Sequence, residues 1–133
     1  VLFRFAVDIQ PGMLERAKAT VAGHGLVNVE FVLADERDPK LAPASLDLVF
    51  IANAYHEFSE PEVIMREVRQ ALKPGGRVFV LEYKSENPKA PASGLHRMSF
   101  EDLRLEIEPT GFAIDQVLDF LPTQHGVAFV PVP

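Results

Sequence analysis

Hydrophobic residues in this chain fall into short runs with two periods. The densest run is Leu46, Leu48, Val49, Phe50, Ile51 and Ala52, and it turns polar at Asn53, Tyr55, His56 and Glu57. A run this continuous predicts a parallel strand covered by helices on both faces, here residues 46–54. Residues 2–9 and 29–34 are shorter runs, rich in aromatic and β-branched side chains and without helical period. They read as strands ending at Asp8 and at Asp35-Glu36. Between them, Met13, Leu14, Ala17 and Val21 make a helical stripe that Pro11 opens and Gly23 and Gly25 end. From the second strand to the densest one the pattern offers only a loop, with Pro39 and Pro43.

After the polar tip, Ser59 and Glu62 have capping-box spacing and Pro61 suits a first helical turn. Val63, Ile64, Val68, Ala71 and Leu72 form the buried stripe of that helix. Lys73-Pro74-Gly75-Gly76 stops it, and residues 76–83 read as a strand around Val78, Phe79, Val80 and Leu81. Residues 87–94 are a Pro/Ala/Ser/Gly-rich loop. Ser99 and Asp102 open a short helix through Leu103 and Ile107, closed by Pro109-Thr110-Gly111. Residues 112–121 and 125–132 are two last strands, whose link is so short that it requires an antiparallel hairpin. The order β-α-β-β-α-β-α-β-β predicts an α/β fold, a mostly parallel sheet with helices on both faces and a C-terminal antiparallel hairpin.

Composition narrows the function more than the fold. The 133 residues are expected to form a single domain, with 47% hydrophobic and 24% charged residues, as in an ordinary globule. A net charge of −6 argues against a nucleic-acid surface. No apolar run approaches the ~18 residues of a membrane span. The chain has no cysteine, which excludes disulfides, thiolate zinc sites and a cysteine nucleophile and suits a cytoplasmic protein.

Polar residues at strand ends are the candidate chemistry, because open α/β sheets bind ligands beyond the carboxyl ends of their strands. Asp8 can accept both hydroxyls of a ribose, or it can simply favour the N-terminus of the following helix. Asp35 can accept a hydrogen bond from an adenine amine, or it can serve the turn Asp-Glu-Arg-Asp-Pro. His56, past the central strand, is a candidate general base, although exposed loop histidines are often inert. Tyr55 packs or lines a pocket. His96 and His125 are too isolated for a metal site, and no zinc-ligand spacing occurs.

Taken together, FAVDIQPGMLERAK, NVEFVLADERD, LDLVFIANAYHEF, EVRQALKPGGRVFVLEYK and SFEDLRLEIEPTGF resemble the class I S-adenosylmethionine-dependent methyltransferases. The nearest branch is that of ubiquinone/menaquinone biosynthesis, and the resemblance covers essentially the whole chain. It implies S-adenosylmethionine as cofactor, a small-molecule methyl acceptor and a Rossmann-like sheet. By position, Asp8 matches the ribose acid, Ile9 the apolar residue against the adenine, and Asp35 the acid reading the adenine amine, with Ala34 and Glu36 beside it. Asn53 and Ala54 match the strand tip facing the methionine part, His56 the start of the substrate-facing segment, and residues 87–98 a variable substrate lid.

The family also places a first strand, a glycine-rich loop and a first helix about 20 residues before Asp8, where this sequence has seven residues. The chain is therefore expected to be truncated relative to the family. The missing strand would lie between those ending at Asp8 and Asn53, leaving two open edges. Direct pairing of those edges, a strand lent by another copy, or a longer natural chain would close the gap, and a homodimer through the edges is expected. The rival functions are a catalytically inactive, homo-oligomeric remnant of the fold and a dinucleotide-binding module using Asp8.

Overall fold

A computed structural model describes residues 2–87, 89 and 97–133. The first unit is β-α-β. Strand β1, Arg4–Asp8, pairs in parallel with β2, Val29–Leu33, with Asp8 opposite Leu33. Helix α1, Pro11–Gly23, makes the crossover and starts on its proline as the pattern predicts. Its stripe is only partly buried. Leu14 is covered, whereas Met13 is 44% exposed.

Strand β3, Leu46–Ala52, begins the second unit after a helix-free connection. Helix α2, Pro61–Ala71, leads into β4, Leu72–Tyr83, and helix α3, Phe100–Ile107, leads into the hairpin of β5, Phe112–Leu118, and β6, Gln124–Pro131. The four strands are ordered β3-β4-β6-β5, parallel between β3 and β4 and antiparallel thereafter. The architecture is therefore the α/β class with a mixed sheet and a terminal hairpin.

One face of this sheet and the inner sides of α2 and α3 make the core. Val78 and Val80 on β4, Val127 and Phe129 on β6, Met65 on α2, and Leu103 and Ile107 on α3 are all fully buried. Ser99 caps α3 by accepting the Asp102 N–H at 3.0 Å, as its spacing predicts. The capping box expected for α2 does not form. Its N-cap is Glu60, one residue past Ser59, and Glu62 turns outward to Arg66 at 2.6 Å. Beyond α3 the chain reverses at Gly111, whose φ of 100° belongs to the left-handed region. A Cβ there would lie 2.7 Å from Arg69 Nε, which itself donates to the Gly111 carbonyl.

Burial of β3 on both faces is the expectation the structure overturns. Ile51 points into the core, but Leu48 and Phe50 on the opposite face are 55% and 59% exposed. Both described helices of the second unit lie on the core side, and β3 is an edge strand. The physical reason is a break in the sheet. β1–β2 and β3-β4-β6-β5 are separate sheets, and β1 does not pair with β3. The break falls where the resemblance places the family's first strand. Direct pairing of the two edges is thereby excluded as the way this chain closes its sheet.

Candidate functional site

The carboxyl ends of β1, β2 and β3 carry the strand-end residues singled out in the sequence. At the end of β1, Asp8 Oδ1 accepts the Gln10 N–H at 2.8 Å, so one oxygen holds the entry to α1. The second oxygen has no hydrogen-bond partner among the described residues. Ile9 follows with its side chain half exposed. The Ala34 N–H donates to the Asp8 carbonyl at 2.9 Å, which ties the two strand ends together.

Asp35 Oδ1 accepts the Arg37 and Asp38 N–H groups, each at 2.8 Å. The Arg37 N–H, joined by the Asp38 N–H and by the positive charges of Lys40 and Arg37, holds the Asp35 carboxyl below its ordinary range. The turn role is thus filled by one oxygen, and Oδ2 faces Lys40 Nζ at 4.0 Å. Glu36 is exposed beside it.

Asn53 ends β3 with φ of 51°, a left-handed conformation that asparagine tolerates better than most residues. Its N–H donates to the Leu81 carbonyl at 2.7 Å and its Oδ1 accepts from Gln124 Nε2 at 2.9 Å, so strand tips from β3 and β6 meet here. Ala54 packs against the core, and residues 55–57 form a single 3-10 turn.

His56 differs from the exposed loop histidine that the sequence suggests. Its side chain is only 7% exposed, and Nδ1 lies 2.8 and 3.0 Å from the two carboxylate oxygens of Glu82, which is fully buried. The His56 backbone N–H donates to the same carboxylate at 3.0 Å. Nε2 lies 3.8 Å from Glu57 Oε1.

Sequence reasoning missed Glu82, although a signal was present. Val78, Val80 and Glu82 alternate along β4 and therefore share its buried face. An acid on such a face requires a partner, and a histidine past the neighbouring strand supplies one. Beside this pair lies a cavity of about 220 Å³, lined by Tyr55, His56, Phe58, Pro61, Arg97, Met98 and Glu106. Tyr55 is buried, and its hydroxyl has no hydrogen-bond partner among the described residues. Burial, followed by the charge of Glu106, pushes its phenol above the ordinary value.

His125 is also buried and faces Glu86, and no group of three or more metal-binding side chains forms among the described residues. His96 and most of the proposed lid at 87–98 lie outside the described residues. No helix among the described residues is long and apolar enough to cross a membrane.

These elements define an α/β protein with polar residues at the carboxyl ends of its parallel strands. Comparison with known proteins gives that class its family. A family described as "Methyltransferase domain" matches residues 4–80, and the chain belongs to it. The chain is 35% identical over 83 residues to the ubiquinone/menaquinone biosynthesis C-methyltransferase of Hahella chejuensis, covering 61% of this chain and 33% of that protein. It is 36% identical over 80 residues to the demethylmenaquinone methyltransferase of Clavibacter sepedonicus, covering 60% and 32%. It thus spans about one third of the length of these curated relatives. A solved S-adenosylmethionine-dependent methyltransferase from Aquifex aeolicus superposes with a TM-score of 0.90 at 26% identity, over 96% of this chain and 68% of that one. The fold is the Rossmann-like methyltransferase fold, and S-adenosylmethionine is the cofactor of that class.

The residues present fit one half of that cofactor. Asp8 has a carboxylate oxygen without a hydrogen bond among the described residues at the end of β1, and Asp35, at the adjoining end of β2, has Oδ2 opposite Lys40 at 4.0 Å. Two anionic acceptors on adjacent strands suit a ribose and an adenine amine. The anionic methionine end needs N–H donors of the kind a glycine turn and helix N-terminus provide. Among the described residues no strand-to-helix turn is glycine-rich.

Proposed function

We propose that this chain, as a single methyltransferase-like domain, serves S-adenosylmethionine-dependent methyl transfer to a small-molecule acceptor. The supporting observation is that Asp8, Asp35 and Asn53 each lie at the carboxyl end of a strand paired in parallel, with His56 just beyond Asn53, in a chain of this family. Asp8 would hold the ribose hydroxyls through Oδ2, with Ile9 against the adenine. Asp35 would accept the adenine amine, flanked by Ala34 and Glu36. Asn53 and Ala54 would line the methionine end. When bound, the cofactor supplies a methyl group on a sulfonium, whose transfer depends chiefly on an aligned, dry approach. His56 would take the proton released by the acceptor. A cytoplasmic location is part of the same reading and is supported by the absence of cysteine.

The test is calorimetric titration of the chain with S-adenosylhomocysteine. Binding that weakens tenfold or more in Asp8→Ala supports the reading. A folded chain that does not bind, or an Asp8→Ala variant that binds equally well, refutes it.

A second reading rests on the broken sheet. β1 and β3 are each an edge strand with exposed apolar side chains, Phe5 and Val7 on β1 and Leu48 and Phe50 on β3. Open edges of this kind recruit strands. On that reading the chain is a homodimer, with a strand or edge of a second copy closing the sheet, and its role is binding rather than catalysis. Sedimentation distinguishes the two, because the second reading requires a stable dimer.

A further inference from the structure

We propose that Glu82 is a positioning residue that makes His56 a proton acceptor at Nε2. This rests on the transfer reading above and assigns a role to a side chain outside the strand-end set. Glu82 is fully buried, so its carboxylate must be satisfied inside the protein. Both of its oxygens lie within 3.0 Å of His56 Nδ1, and one also accepts the His56 backbone N–H. An ionised carboxylate only accepts, so Nδ1 must carry a proton. The neutral imidazole then has its lone pair on Nε2.

Anchoring by a backbone N–H and a ring N–H together fixes the ring orientation as well as the tautomer. Carboxylate-to-histidine pairs act this way wherever the second ring nitrogen takes a proton or a metal. Among the described residues, the charged and titratable groups around the pair include Glu57 on its own turn, Arg97 and Glu106 across the cavity, Tyr55 beside it, and His125 opposite Glu82 on β6. The cavity of about 220 Å³ that His56 lines accommodates a small acceptor.

In the step, an acceptor X–H gives its proton to Nε2 and the X–H electron pair forms the new X–C bond. The methyl–sulfur bond breaks with its pair left on sulfur, turning the sulfonium donor into a thioether. The imidazolium that results is stabilised by the Glu82 carboxylate. The matching acceptors are those whose proton an imidazole can remove, namely phenols, catechols, quinols and 1,3-dicarbonyl carbon acids.

Two measurements test this. Long-range proton–nitrogen NMR of the ¹⁵N-labelled chain reads the His56 tautomer, with a protonated Nδ1 expected in the native protein. A bare Nδ1 overturns the proposal, and this outcome requires no variant to fold. Methyl transfer from labelled S-adenosylmethionine to a phenol, a catechol, a quinol and a 1,3-dicarbonyl is then compared in wild type and Glu82→Gln. The variant keeps an acceptor for the His56 backbone N–H.

We expect kcat to fall roughly 10–100-fold with KM and S-adenosylhomocysteine affinity unchanged. Wild-type kcat in the variant, or a parallel loss of kcat, cofactor affinity and melting temperature, overturns the positioning role. Absence of cofactor binding by the wild type overturns instead the transfer reading on which the role rests.

Discussion

Tyr55 offers a direct test of the site's energetics. It is 2% exposed, and its hydroxyl lies beside the Glu106 carboxylate without a well-formed hydrogen bond among the described residues. Burying an unpaired hydroxyl costs about 1–3 kcal/mol. The Tyr55→Phe change removes that penalty while keeping the ring, which sits 5.5 Å from the Phe58 ring. The gain expected is about 1 kcal/mol, seen as a melting temperature roughly 3–5 °C higher for a chain of this size.

Urea unfolding and calorimetric melting measure it. A loss of about 1 kcal/mol in Tyr55→Phe would refute the reasoning, because it would mean the hydroxyl is partnered in the folded chain. The same change should weaken any ligand of the 220 Å³ cavity that Tyr55 lines, if the ligand is the hydroxyl's natural partner. Stability gained with binding lost is the signature of a polar group kept for function.

Other predictions follow from single contacts. Gly111→Ala puts a Cβ 2.7 Å from Arg69 Nε at φ of 100°, so Arg69 must shift from the Gly111 and Val132 carbonyls it holds. We expect a loss of about 2–3 kcal/mol in urea unfolding. Asp35 titrates below its ordinary 3.8 because of the Arg37 N–H and its neighbours. Its contribution to stability is therefore complete above that ordinary value and lost as pH falls through the lowered one. Unfolding curves between about pH 5 and 2 should accordingly be less steep in pH for Asp35→Asn than for wild type. On the homodimer reading, Phe50→Lys places a charge on an exposed position of the open edge strand β3 and should suppress self-association in sedimentation velocity. Unchanged association would show that copies meet elsewhere.

The periodicity carried most of the fold. Pro11, Ser99 and the glycine at 111 mark real element boundaries because each acts through local backbone chemistry. The run around residues 78–81 identifies β4, and the short link before the last run dictates the hairpin, which turns between Leu118 and Gln124. What periodicity could not show was the covering of each face. The run at 46–52 is hydrophobic on both sides, yet Leu48 and Phe50 remain largely exposed on the face opposite the core, although the Phe50 ring meets Phe79 of β4 at 5.7 Å. Ser59 misled because a capping box depends on a one-residue register that Pro61 shifts.

At the site, strand-end acids are visible in sequence because strand ends are. The Glu82–His56 pair was not, since it joins residues 26 positions apart whose meeting depends on β3 and β4 lying side by side. Asp8 and Asp35 each commit one oxygen, Oδ1, to a turn contact with backbone N–H groups.

The central claim is that the cofactor sits on the carboxyl ends of β1, β2 and β3. Titrating S-adenosylhomocysteine into the ¹⁵N-labelled chain while following backbone amide shifts tests it most directly. The account predicts saturable shifts centred on Ile9, Asp35 and Asn53, with the hairpin of β5 and β6 unmoved away from Gln124. No shift at saturating ligand, or shifts confined to other surfaces, would contradict it.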